Sequence, residues 1–192
     1  MAISSAAKAG LVLFFGTVQF GILLIVAEAL LPTYSDSVNY ISDLGATSPA
    51  SMIFNPSIIL FGLLVMVAAY YLNRAFRWMP LTCLIVISGI GLIGVGVFPE
   101  PFPFDLHGVF SVLAYLFIGL SAVVAARFQK KPLFYFSIVL GLITLVALVL
   151  YGAGIYLGLG PGGMERMIAY PALFWLFGFG GHLMAFEDNK PQ

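Results

Sequence analysis

With 192 residues, of which 61% are hydrophobic and only 8% charged, the chain has too few charges to coat a soluble globule of its size. Its mean hydropathy of +1.08 is that of an integral membrane protein, and eight basic against eight acidic residues leave no positive excess for a nucleic-acid partner. The single cysteine, Cys83, excludes an intrachain disulfide and reads as a small apolar filler within the third apolar run.

Six windows approach the roughly 20 apolar residues that a helix needs to cross a hydrocarbon core of about 30 Å. They are Ala9 to Leu31, Met52 to Leu72, Met79 to Phe98, His107 to Ala126, Leu133 to Leu157 and Met167 to Phe186. All are continuously apolar instead of alternating, which argues against barrel strands. The first has some features of a secretory signal, namely Lys8 and the triplet Ala27-Glu28-Ala29, but its apolar run exceeds a signal core and predicts a true span. The expected fold is all-α, a six-transmembrane-helix bundle in which residues 1–192 form one domain.

Six spans put both termini on one side. Lys8, Arg74, Arg77, Arg127, Lys130, Lys131 and Lys190 then collect there and only Arg166 falls opposite, which predicts cytoplasmic termini in a multi-pass protein of the plasma membrane. Asp36, Asp43, Glu100, Asp105 and Glu165 fall on the outer side, with Glu28 one turn inside the outer end of the first span; Glu187 and Asp188 stay with the bases. Insertion of positive inner loops would by itself leave acids outside. It does not explain why they stand beside His, Ser, Asn and Tyr.

The connectors differ in kind. After the first span, Val38-Asn39-Tyr40-Ile41-Ser42-Asp43-Leu44-Gly45 is a polar stretch that the following small residues allow to turn back toward the bundle, with Asn39, Ser42 and Asp43 inward. The inner connectors, residues 73–77 and 127–132, read as basic anchors reaching for anionic headgroups. Ser88, Gly89, Gly91, Gly94 and Gly96 predict a central, closely packed third span, and Gly154 with Gly158 forms a small-xxx-small pair in the fifth. Three prolines between Phe98 and His107 predict an extended, stiff connector. The stretch from Gly158 to Arg166 reads as loose until the sixth span begins, and no internal repeat supports an inverted-repeat transporter.

Ionisable groups against the hydrocarbon cost about 2.5 to 3.5 kcal/mol at a helix centre and therefore face partners. Glu28 is the clearest case; it either pairs inside the bundle or belongs to a site. His107 opens the fourth span two residues after Asp105 and reads either as an acid or base or as an interfacial cap. His182 lies about 24 Å from the outer mouth, so the two histidines share neither a metal nor a haem. No cofactor is expected, and one outer His without Cys makes no zinc site. Glu165 and Arg166, adjacent on a helix and about 100° apart, serve different partners. Arg166 neutralises an outer acid such as Asp43 or Glu28, or holds an anionic headgroup, with Tyr170 one turn on along the same face.

Three segments in order, "YSDSVNYISDLG", "GVGVFPEPFPFDLH" and "GGMERMIAYPALFW", resemble the prokaryotic membrane family catalogued as domain of unknown function 998. Ile41-Ser42-Asp43-Leu44-Gly45 is also similar to a segment of the eukaryotic DRAM and FRAG-type six-span proteins, some of them linked to lipid remodelling. The first resemblance implies interest in Asn39, Ser42, Asp43, Gly45, Pro99, His107, Glu165 and Arg166, and names no reaction. At Ser37 and Val38 the chain lacks the His or Arg that many relatives place there.

The functional expectation is an outward-facing polar pocket that binds, and modifies if it is an enzyme, a lipid headgroup or other amphiphile. Asp43, His107 and Glu28 would be its reactive groups, Arg166 its anion anchor, and Asn39, Ser42, Glu165 and Tyr170 further binding residues. Membrane lipids are the expected partners, and a homo-oligomer is left open. The alternatives are a small transporter or cation channel, and a non-catalytic assembly or scaffold protein.

Overall fold

The computed structural model describes residues 3–186, so Glu187, Asp188 and Lys190 lie outside the described residues. Among these residues there is no strand, and six helices are long and apolar enough to cross a membrane. The spanning helices are α1 (Ser5–Ala29), α3 (Ser51–Phe76), α4 (Met79–Val97), α5 (Leu106–Ala125), α6 (Leu133–Gly152) and α7 (Gly160–Met184); α2 (Asp43–Ala46) is a single turn.

The ends of these helices follow local chemistry. Ser4 caps α1 by accepting the Ala7 N–H at 3.0 Å. Arg77 takes a left-handed φ of 48° and closes α3 through its N–H to the Asn73 carbonyl. The fifth helix stops at Gly152, and Gly154 (φ 71°) and Gly158 (φ 80°) make the turn that follows, so they are no packing pair. The last helix starts earlier than the apolar run, because Pro161 fits a first turn whose N–H groups need no helical partner. Residues expected to be loose are therefore helical, and Glu165 and Arg166 lie inside α7. Before α5, Pro103–Asp105 form one 3-10 turn with Phe104 at φ 63° and Asp105 at φ 50°, so the Pro-rich connector is extended only in part.

The six long helices close into a ring. Each packs on the next in the chain, α7 returns to α1, and α5 also reaches α7 across the ring. The start of α1 meets the end of α7, where Gly10 abuts the Gly180 carbonyl and Met184. Helix α4, the third span, packs on α3 and α5, so it is a rim helix, not the central one its glycines suggested. Those glycines serve close approach: a Cβ on Gly91 would run into the Ala114 backbone, and one on Gly89 into Met66 and the Gly62 carbonyl. Cys83 is exposed on the outer surface of α4 instead of filling the core.

The interior is aromatic and aliphatic, with Phe20 stacked on Phe61 at 5.2 Å and Phe54, Leu13, Ile85 and Leu176 fully buried. Hydroxyls at mid-depth are bonded to helix carbonyls, as Ser88 to Ala114 (2.9 Å), Ser121 to Phe117 (2.7 Å) and Thr144 to Ile168 (3.2 Å). At the basic end Phe76, Trp78, Phe128 and Phe186 form a ring cluster, with the Arg127 guanidinium 4.4 Å from the Trp78 ring centre. His182 belongs to that end, its Nε2 3.3 Å from the Phe128 carbonyl.

Candidate functional site

At the opposite end the connector between α1 and α3 folds into the mouth of the ring. Its turn is built by its own side chains: Asp43 Oδ2 accepts the Tyr40 N–H (2.9 Å) and the Asn39 amide (3.2 Å), while Asn39 Oδ1 accepts the Ser35 N–H (3.0 Å). The turn drives Ile41, Ser42 and Leu44 inward, all of them buried. Asn55 of α3 holds the far side by donating to the Gly45 carbonyl at 3.0 Å. This segment is a plug.

Arg166 fastens the plug. Its two terminal nitrogens donate to the carbonyls of Asp36 (2.9 Å), Asn39 (3.1 Å) and Gly162 (3.2 Å), to Glu28 (2.8 Å), to the Tyr34 hydroxyl (2.8 Å) and to Asp36 Oδ1 (3.1 Å). The guanidinium thus ties α1, the connector and α7 together. Gly162 sits so close beneath the Asn39 and Asp36 carbonyls that a Cβ there would collide with both. Tyr34 passes the bond on by donating to the Tyr40 carbonyl at 2.9 Å. Burial pushes the Tyr34 phenol well above its ordinary range, against the pull of Arg166. Tyr40 is raised too, first by burial.

Glu165 turns the other way, as a 100° step requires. It is 7% exposed, and its Oε2 accepts the Ile41 N–H at 2.5 Å. With Ser42 it lines both a small cavity of about 40 Å³ inside the ring and a cleft of about 250 Å³ between α5, α6 and α7. The polar lining of the cleft is Ser42, His107, Ser111, Tyr115, Tyr151 and Glu165. His107 is buried, and its Nδ1 lies 2.9 Å from the Phe98 carbonyl. A carbonyl only accepts, so Nδ1 carries the proton, and in the neutral ring Nε2 is the acceptor. His107 is therefore a buried member of the cleft and not an interfacial cap.

The structure gathers Ser42, His107 and Glu165 on the cleft and Glu28, Asn39, Asp43 and Arg166 around the plug. Arg166 pairs with Glu28 and Asp36, not with Asp43. Tyr170 lies along α7 from Arg166 and lines a separate apolar groove against α1. Sequence reasoning missed Tyr34, Tyr115 and Tyr151; Tyr34 and Tyr151, at or beyond a span end, read as interfacial belt, and Tyr115, in the middle of α5, reads as one more apolar packing residue unless its face is known. Among the described residues no three of His, Cys, Asp and Glu gather as a metal site.

No curated protein and no solved structure matches the chain. The likeness of Ile41 to Gly45 to the DRAM and FRAG-type proteins gains nothing from these comparisons. A family model described as protein of unknown function (DUF998) matches residues 14–182, which is most of the chain including the plug, the cleft and the clasp, and the chain belongs to that family.

Proposed function

We propose that the cleft between α5, α6 and α7 receives the polar end of a membrane amphiphile and is the place where it is modified. The observation that carries this reading is that a buried carboxylate, Glu165, and an imidazole whose Nδ1 is turned to a backbone carbonyl, His107, line one cleft that also holds Ser42, Ser111, Tyr115 and Tyr151. Val112, Leu148 and Ile168 supply an apolar wall suited to the start of an acyl chain. In this reading His107 takes the proton of an attacking water or hydroxyl as its oxygen bonds to the ester carbon or phosphorus, and returns that proton to the leaving alcohol oxygen as the old ester bond breaks, while Glu165 orients the reacting groups. Asp43 and Glu28 are spent on the plug and on Arg166, so the acidic role passes to Glu165. Arg166, engaged by six acceptors, acts as the clasp of the site instead of its anion anchor. The basic end faces the cytoplasm and the cleft opens toward the outer leaflet of the plasma membrane.

The test is a comparison of cellular lipids in a deletion strain complemented by the wild type, His107→Ala or Glu165→Gln. Both variants should insert at normal levels and accumulate the same amphiphile as the deletion. Wild-type lipid profiles in both would overturn the reading.

A second reading, an assembly or scaffold protein, draws on the bonds around Arg166, which tie elements together and leave neither terminal nitrogen without a partner. A protein or second copy that copurifies with the wild type and is lost in Arg166→Ala would favour it.

A further inference from the structure

A second polar group is buried at the basic end, far from the cleft. Trp175 of α7 donates its indole N–H to Ser137 Oγ at 3.0 Å, and Ser137 donates to Gln129 Oε1 at 2.7 Å. An indole nitrogen only donates, so the serine hydroxyl accepts from Trp175, and it donates in turn to the carbonyl oxygen of Gln129, with the amide Nε2 turned away from the relay. That nitrogen is buried and has no hydrogen-bond acceptor in the protein, and Gln129 as a whole is 9% exposed. A buried amide donor without an acceptor is costly, and native proteins rarely tolerate one without use.

Gln129, Ser137 and Trp175 line a cavity of about 190 Å³ between α6 and α7, together with Phe136, Phe174 and Phe179. Phe136 and Phe174 are also exposed on the lipid-facing surface, so the cavity has a hydrocarbon rim. Lys130 and Lys131 follow Gln129 directly and are exposed. A neutral donor among the lining residues, an aromatic wall and two cations on the adjoining connector match the layers of one kind of molecule: a diacyl lipid whose ester carbonyl lies below an anionic phosphate.

We propose that this cavity is a binding site for an anionic ester-linked phospholipid, with an ester carbonyl accepting from Gln129 Nε2, an acyl chain between Phe136 and Phe174, and the phosphate near Lys130 and Lys131. The site is independent of the cleft and does not rest on the function proposed for it.

The full chain in detergent, delipidated, tests this by thermal unfolding on addition of phosphatidylglycerol. The melting temperature should rise with the diester lipid, and the ether-linked phosphatidylglycerol, which lacks the carbonyls, should bind about fivefold more weakly, the factor that one hydrogen bond supplies. Phosphatidylcholine should stabilise less than either if Lys130 and Lys131 hold the phosphate. Gln129→Met keeps the volume but removes both the Nε2 donor and the acceptor of Ser137, so it should melt somewhat below the wild type without lipid and, measured against its own lipid-free state, no longer distinguish ester from ether lipid. Equal shifts with ester and ether lipid in the wild type, or an undiminished preference in Gln129→Met, would overturn the proposal. Should Gln129→Met fail to fold, the ester and ether comparison on the wild type decides alone.

Discussion

Glu165 accepts the Ile41 amide N–H at 2.5 Å across 124 residues of chain, and by that bond α7 holds the plug that closes the mouth of the ring. The carboxylate has two separable properties, its oxygen and its charge. Glu165→Gln keeps an oxygen for Ile41 and should change stability by less than about 1 kcal/mol, whereas Glu165→Ala leaves a buried N–H unpaired and should cost about 1 to 3 kcal/mol. Unfolding in detergent measures both; equal losses would mean that the Ile41 bond is not what anchors the plug.

Arg166 should be irreplaceable by lysine. A lysine is a point charge with three donors and does not span acceptors on three segments as a planar guanidinium does. Arg166→Ala removes the counter-charge of the partly buried Glu28 and should cost about 3 to 5 kcal/mol, and Arg166→Lys should recover little of it. Asp36→Asn should cost far less, because that side chain is 73% exposed and its backbone carbonyl bond survives. A double-mutant cycle of Arg166→Ala with Glu28→Gln should show coupling of about 0.5 to 3 kcal/mol.

Tyr34 gives the clasp a pH limit. Its phenol is raised by burial, so the folded state favours the neutral hydroxyl more than the unfolded chain does. Stability from this group is fully present below the unfolded tyrosine value of about 10 and declines as pH rises above it. The unfolding midpoint should therefore lose ground above about pH 10. Tyr34→Phe should be weaker at neutral pH, having lost both hydroxyl bonds, and should show a shallower alkaline decline. An unchanged decline would assign it to other groups.

Two glycine substitutions should diverge. Gly162→Ala drives a Cβ into the Asn39 and Asp36 carbonyls and should cost about 1 to 3 kcal/mol as overpacking. Gly21→Ala, where a Cβ meets nothing within 4 Å, should be neutral or gain up to about 1 kcal/mol of helix propensity. Melting temperatures of the two, side by side, check whether the plug is seated as tightly as its contacts indicate.

The six spans were legible because length and continuous hydropathy are one-dimensional properties. Boundaries failed where apolarity and helicity part company: residues 160–166 are, apart from Met164, small, charged or proline yet helical, since Gly160-Pro161 starts a helix without needing hydrocarbon around it. The separate partners of Glu165 and Arg166 followed from helix geometry alone. That Arg166 would choose Asp36 over Asp43 did not, because Asp43 is consumed by the Tyr40 and Asn39 bonds of its own turn, a fact of three-dimensional loop closure. Likewise, glycines in α4 announced close packing but not with which neighbours, and a rim helix of a ring needs them as much as a central one.

The ring has an implication for the order in which the protein is made. Glu28 leaves the ribosome in the first span, and its counter-charge Arg166 arrives only with the last, after α3, α4, α5 and α6 have been translated. Through that interval the carboxylate has no partner on α7, and the connector lacks the guanidinium that gathers its carbonyls. Insertion of α7 is therefore a locking step, since that helix brings the guanidinium that pairs with Glu28 and the face that packs on α1. Chains truncated before Gly160 should remain open at that end, with a first span that exchanges or slips where the finished protein holds it fixed.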